Sequence, residues 1–228
     1  MRSIRVICFD LDDTLWNLTP VIKRAEQLLY LWLGEHYPRV TAAYSSADLG
    51  RLRMLAASRW PELQHDLSEL RMRTLRQIAD TTGYDEEMVE GAYAVFFDAR
   101  NNVQLYDDVV PALQQLSTTH RLVALSNGNA DLRRIGIAEL FDSIYSARDM
   151  GVAKPDSRFF LSAAVRCNVE PYEMLHVGDH PENDIAAARY TGMKTVWINR
   201  AGVEWPLPDT HPHYEIENLT QLQSLLQL

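Results

Sequence analysis

Four stretches of this sequence carry side chains that could do chemistry, and three of them sit directly behind apolar runs. Phe9-Asp10-Leu11-Asp12-Asp13-Thr14 follows the run Ile4–Phe9. Two carboxylates at i and i+2, leaving the end of a strand, can converge on one hard cation and on one substrate atom. Asp10 could then attack a phosphorus atom while Asp12 transfers protons. A carboxylate nucleophile suits that reaction because an acyl-phosphate is easily hydrolysed afterwards. Alone, the segment also reads as an acidic turn in which Thr14 caps a helix. Ser126-Asn127-Gly128 follows the run Arg121–Leu125. Its hydroxyl and turn amides could hold a phosphate oxygen, although Asn-Gly marks a turn anywhere. Lys154-Pro155-Asp156 stands in a loop ahead of a helical stretch, where a lysine could neutralise a phosphate and its nucleophile or simply be solvated. Gly178-Asp179-His180-Pro181-Glu182-Asn183-Asp184 follows the run Met174–Val177. Asp179 and Asp184 lie one strand-to-helix turn apart, placed to bind a cation and brace its ligands. The same acids would also suit a helix N-terminus through the macrodipole.

The elements that must position these groups follow from hydrophobic pattern. Ile4–Phe9, Arg121–Leu125, Met174–Val177 and Lys194–Ile198 are apolar and rich in β-branched residues, the habit of strands buried on both faces of a parallel sheet. Asp156 can cap a helix carrying Phe159, Phe160, Ala163, Ala164 and Cys167. Pro181 can open another through Ile185, Ala186 and Ala188, closed by Gly192. This alternation, from about residue 105 onward, predicts an α/β fold with a doubly wound, Rossmannoid parallel sheet. The stretch between differs. From Thr19 to Arg100 no strand is convincing, and four helical patterns are punctuated by Gly34, Pro38, Pro61 and Gly83. Thr19-Pro20 starts the first pattern, and Ser46 or Asp48 is the expected cap of the second. The chain therefore divides into a core of residues 1–18 and 101–228, with an all-helical module of residues 19–100 inserted. A Pro-rich loop is expected over 201–213, and a closing helix over 219–226.

Composition narrows the partners. The 228 residues are 46% hydrophobic and 23% charged, ordinary for a globular protein, with a formal net charge of −9. A nucleic-acid binder usually carries the opposite sign, so neither nucleic acid nor an anionic membrane is an expected partner. The N-terminal apolar stretch is too short for a signal-peptide core, and no run approaches a span of about 20 residues. Two cysteines, Cys8 and Cys167, have no CxxC spacing, and Cys8 reads as a core residue. A soluble, cytoplasmic protein without disulfides is the expectation.

The four chemical stretches are informative as a set. Asp10, Ser126 and Asp179 each come right after a strand, and in an open parallel sheet ligands bind beyond the carboxyl ends of the strands. The set resembles the haloacid dehalogenase superfamily of phosphatases, which share in order a DxDx[TV] motif, a Ser/Thr after the second strand, a Lys and a GDxxxxD-type acidic motif. Here these are Asp10-Leu11-Asp12-Asp13-Thr14, Ser126-Asn127, Lys154, and Gly178-Asp179 with Asp184. The helical insert is similar to the four-helix, first-type (C1) cap of that family. The resemblance implies a Mg²⁺-dependent phosphatase with Asp10 as nucleophile and metal ligand. Asp12 would be the general acid and then base, its backbone carbonyl also binding metal. Ser126, the Asn127 amide and Lys154 would hold the phosphoryl group, while Asp179 binds Mg²⁺ and Asp184 supports it. It also implies a cap that opens and closes.

For the ester, Thr19-Pro20-Val21-Ile22-Lys23-Arg24, Asp48-Leu49-Gly50-Arg51-Leu52-Arg53 and Ser126-Asn127-Gly128-Asn129-Ala130 are similar to a bacterial subgroup that dephosphorylates FMN and a ribitylaminouracil phosphate of riboflavin synthesis. Trp16 is expected either at the pocket mouth, stacking on a flat ring, or in the core. His180, next to Asp179, could touch substrate or a metal-bound water but is expected rather to face solvent, and His176 is expected to be a core residue with a hydrogen-bonded ring. Arg51, Arg53, Arg71, Arg73 and Arg76 are expected mostly as a solvated helix face, although one could reach a second anionic group. The partner is a small phosphate ester, and the chain is a monomer or homodimer. A sugar-phosphate phosphotransferase or mutase, a 2-haloacid dehalogenase and a non-catalytic binding module stay open as alternatives.

Overall fold

A computed structural model of the chain describes residues 4–226. The chain divides into two compact units: residues 1–17, 104–128 and 135–228 form the first, and residues 18–103 and 129–134 the second.

The first unit is built on six parallel strands: β1 (Val6–Phe9), β2 (Arg121–Ser126), β3 (Ser143–Ser146), β4 (Met174–Gly178), β5 (Lys194–Ile198) and β6 (Tyr214–Ile216). Their order across the sheet is β3-β2-β1-β4-β5-β6. The chain starts in the middle and winds outward to both edges, so β1 marks the point where strand order reverses. Each of Val6, Ile7, Cys8 and Phe9 is fully buried, and removing such side chains from water stabilises the fold by about 1.5–3 kcal/mol for each of the larger ones. The register sets Phe9 beside Ala124 on one side and Val177 on the other. The Asp10 N–H extends that ladder by one step to the Val177 carbonyl, at 2.9 Å. One layer of the core packs Val6, Cys8, Val123, Leu125 and Met174 against Phe159, Phe160, Ala163 and Cys167 of the helix Ser157–Cys167. Asp156 caps that helix as expected, accepting from the Arg158 N–H at 2.9 Å.

Two strands were not legible as apolar runs. β3 is only partly buried and β6 buries only Ile216, because each is an edge strand with one face wet. The loop before β6 is irregular through His213, as its prolines require, and the helix Leu219–Leu226 closes the chain.

The second unit is all-helical: Leu18–His36, Pro38–Ala43, Ser46–Arg59, Leu67–Thr82 and Glu86–Asn101. The short Pro38–Ala43 helix adds to the four expected. Capping of the third also differs. Ser45, not Ser46 or Asp48, is the N-cap, and Asp48 is the reciprocal partner of a capping box. Ala25, Leu29, Leu33, Leu75, Ile78, Met88, Ala92 and Phe96 supply its core. Gly91 sits mid-helix because a Cβ there would lie 2.6 Å from the Trp32 ring. Of the arginines, Arg71 departs from the solvated face expected of it. Its side chain is 11% exposed and pairs with Glu26 at 2.7 Å, with its guanidinium 3.3 Å from the Phe96 ring centroid. Among the described residues no helix is long and apolar enough to cross a membrane.

Candidate active site

The carboxyl ends of β1, β2 and β4 bring the predicted groups together in the first unit. Asp10 is 7% exposed, Ser126 4%, Lys154 3% and Asp184 1%, so this is a polar cluster taken almost wholly out of water. Such burial is sustained only by pairing. Lys154 Nζ donates to Asp10 Oδ1 at 2.5 Å, to Asp184 Oδ1 at 2.6 Å and to the Leu125 carbonyl at 2.9 Å. All three ammonium donors thus have acceptors. Asn127 holds the lysine's own backbone: its Oδ1 accepts from the Lys154 N–H and its Nδ2 donates to the Lys154 carbonyl, both at 2.8 Å. Ser126 Oγ accepts from the Gly128 N–H at 2.9 Å, which bends the chain immediately past β2.

Asp184 is the organiser of the acidic side. Besides Lys154, its Oδ1 takes the His176 Nε2 at 3.0 Å, and its Oδ2 takes the His180 N–H at 3.1 Å. His176 is therefore the buried, hydrogen-bonded histidine expected, with Nε2 protonated; its Nδ1 is buried without a partner. Burial holds that imidazole below its ordinary pKa, neutral at pH 7. His180 is exposed as expected, and Nδ1 accepts the Glu182 and Asn183 N–H groups at 3.3 and 3.2 Å, capping the turn that Pro181 opens. Asp179 is braced from the other side. Thr14 Oγ1 lies 3.3 Å from its Oδ1, and Trp197 Nε1 donates to its carbonyl at 2.7 Å. A cleft of about 450 Å³ opens beside it, lined by Asp13, Tyr106, Asp179, Trp197 and Arg200 among others.

Charge explains what this cluster can hold. Oxygens of Asp10, Asp179 and Asp184 all lie within 4.8 Å of one another, three carboxylates against one lysine. Burial pushes the Asp10 carboxyl well above the usual range, against the pull of Lys154, and the Asp184 and Asp179 charges push the same way. Asp179 is raised to about 7, first by burial and then by Asp184 and Asp13. Burial alone would raise Asp184 too, but Lys154 and then His176 hold it below the carboxylate range. An all-oxygen donor set with uncompensated negative charge fits a hard divalent cation.

At Gly178 the backbone runs close against the Asp184 side chain. A Cβ there would stand 2.4 Å from Asp184 Cγ. Gly178→Ala should therefore destabilise the protein by about 1–3 kcal/mol, the usual cost of forcing atoms into a packed interior. A urea midpoint unchanged from the parent would contradict it.

Of the two places expected for Trp16, the structure gives the core. Trp16 is fully buried, so it is not at a pocket mouth and stacks on no ligand there. Its indole Nε1–H donates instead to Asp12 Oδ1 at 2.9 Å. The spacing gave no hint of this, because it depends on a left-handed backbone at Asp13, with φ 59°.

Comparison with known proteins agrees with this geometry. Residues 4–192 match the haloacid dehalogenase-like hydrolase family. The chain belongs to that family. It is 34% identical to the 5-amino-6-(5-phospho-D-ribitylamino)uracil phosphatase YigB of Escherichia coli K12, over 99% of this chain and 98% of that one. It is 30% identical to a glyceraldehyde 3-phosphate phosphatase of Methanopyrus kandleri, over 98% and 97% of the two chains. Among solved structures it superposes, with a TM-score of 0.92 and 38% identity over 98% of both chains, on a protein described as a 2-haloacid dehalogenase from Pseudomonas syringae pv. Tomato DC3000.

Proposed function

We propose that the chain removes phosphate from a small phosphomonoester through an aspartyl-phosphate on Asp10, with Mg²⁺ bound among its acids. The enzyme is a phosphatase of the haloacid dehalogenase-like hydrolase family. The observation that carries the proposal is the buried Asp10–Lys154–Asp184 array at the end of the central strand, with a second acid, Asp12, two residues on. In the first half-reaction an Asp10 oxygen bonds to phosphorus as the ester P–O bond breaks, and Asp12 gives its proton to the departing alkoxide. In the second, Asp12 takes a proton from water as that water adds to phosphorus, and the P–O bond to Asp10 breaks. Inorganic phosphate leaves and both aspartates return to their starting state. The Ser126 hydroxyl and the Asn127 backbone N–H hold phosphoryl oxygens, and Lys154 does so by exchanging one of its present acceptors for a phosphoryl oxygen. Asp10, Asp179 and the Asp12 carbonyl would hold the Mg²⁺, with Asp184 supporting them; when bound, such a cation would supply charge neutralisation for nucleophile and phosphoryl group.

A dehalogenase reading has the Pseudomonas structure in its favour. Against it, a halide departs without a proton, so neither Asp12 nor a charge-neutralising cation has work in that reaction. For substrate we propose a ribityl phosphate carried on a flat heterocycle, FMN or a ribitylaminouracil phosphate. The full-length similarity to YigB supports this choice. We assign substrate choice to the helical unit, acting as a cap, and place the enzyme in the cytoplasm. The two buried free thiols suit a reducing compartment.

The test is phosphate release from a panel of ribityl phosphates, sugar phosphates and nucleotides, with Mg²⁺ or excess EDTA. Release should need the metal and be fastest, by kcat/KM, with the ribityl esters. Chloride release from a 2-haloacid in EDTA, without phosphate release from any ester, would assign the chain to the dehalogenases.

A further inference from the structure

We infer that Trp16 is a positioning residue for the proton transfers of Asp12, holding that carboxyl through its indole N–H. The inference rests on the phosphatase reading above. Its basis is local and lies wholly within the first unit. Asp13 at φ 59° curls the chain so that the Leu15 N–H reaches the Leu11 carbonyl at 2.8 Å and Trp16 comes to lie beside Asp12. The same residue pairs on its far side with Leu105, and the Leu15 carbonyl accepts from the Tyr106 N–H at 3.1 Å. Trp16 is thus anchored by backbone on two sides, with a fully buried ring, and its Nε1–H stands 2.9 Å from Asp12 Oδ1. An indole N–H only donates. Oδ1 therefore remains an acceptor whether Asp12 carries its proton or has given it up, and the bond spans both half-reactions. A proton donor on a loop needs this kind of support, since a misplacement of about 1 Å can cost a hundredfold in rate.

A tryptophan that only filled the core would serve every substrate alike. A positioning residue would matter most where the leaving group needs a proton. The discriminating quantity is the ratio of kcat/KM for the best alkyl phosphate of the panel to that for 2,4-dinitrophenyl phosphate, whose phenolate departs unprotonated. The ratio is independent of how much of a variant is folded. Trp16→Phe, which keeps a large ring and removes the N–H, should lower it about tenfold or more, part of the 10²–10⁴ that general acid catalysis supplies. In an Asp12→Asn background the same change should lower it no further. Should Trp16→Phe not fold, placing benzothienylalanine, which has sulfur in place of the N–H, at position 16 alone gives the same readout in a conserved shape and leaves the Trp197 N–H on the Asp179 carbonyl. A ratio that holds constant or rises in the variant would overturn the inference while leaving the phosphatase reading intact. A parent enzyme that releases phosphate from neither ester would overturn both.

Discussion

Asp10→Asn should abolish phosphate release, by about 10⁴-fold or more, and yet leave the metal-free protein at least as stable as its parent. The first half follows from losing the atom that bonds to phosphorus; removal of a covalent nucleophile is among the most damaging changes an enzyme can suffer. The second half follows from electrostatics. In the parent, one ammonium faces two buried carboxylates, and Asp10 is the member whose ionised form the surroundings resist. An asparagine retains a carbonyl oxygen to accept from Lys154 and removes the surplus charge, leaving Lys154 and Asp184 as a neutral pair. Stability gained where activity is lost is the expected signature of a site strained for function. Urea denaturation in EDTA at pH 7 should place the variant's midpoint at or above the parent's. Added Mg²⁺ should raise the parent's midpoint, because a ligand that binds only the folded state stabilises it, and should raise the variant's much less. A variant with clearly lower stability in EDTA would mean that Asp10 is structural as well as chemical.

How much of this was legible in the sequence depends on the range over which each feature is decided. Asp10, Ser126 and Asp179 stood out because strands buried on both faces leave unmistakable apolar runs, and the residue after each run lands on one edge of the sheet. The capping role of Asp156 and the opening Pro181 were equally local and were found. β3 and β6 were hidden because edge strands are half wet and lack an apolar run. Arg71 was hidden because its ion pair with Glu26 spans 45 positions and its stacking on Phe96 depends on helix packing. Trp16 was ambiguous for another reason. Its spacing from Asp12 suits either a helical face or a free loop, and only the left-handed turn at Asp13 settles which atom meets the indole. Lys154 is the extreme case. Its loop alone left a solvated lysine equally open, only the resemblance to the family singled it out, and its partner Asp10 is 144 residues away.

That lysine also leaves the fold open to damage by a single change. Lys154→Met keeps an unbranched side chain of similar reach but leaves Asp10 and Asp184 facing each other without a counter-charge. Removing one member of a buried ion pair costs about 3–5 kcal/mol, more than the pair itself is worth, because the remaining charge has been stripped of water. For a chain of this size that should lower Tm by roughly 10 °C. Turnover should fall by about 10²–10³, the usual loss when a preorganised charge is removed from a reacting centre. The pH dependence distinguishes this cause from lost packing. Burial alone would lower the Lys154 amine, but Asp10 and Asp184 hold it above its ordinary value. Its contribution is therefore full below the unfolded amine's pKa of about 10.4 and fades only as pH rises beyond that. Asp184 is held below its ordinary value, so its contribution is present above about pH 4 and is lost as pH falls further. In the variant both carboxyls lose the cation that favours their charged forms and take up protons more readily than in the parent, so the metal-free variant gains stability relative to the parent as pH falls from 7 toward 4. Parent and variant should accordingly differ most near pH 7–9 and converge in acid, in urea titrations carried out with EDTA. A stability difference that is the same at pH 4.5 and pH 8 would point to a packing defect instead, and would remove charge compensation as the reason this lysine is buried.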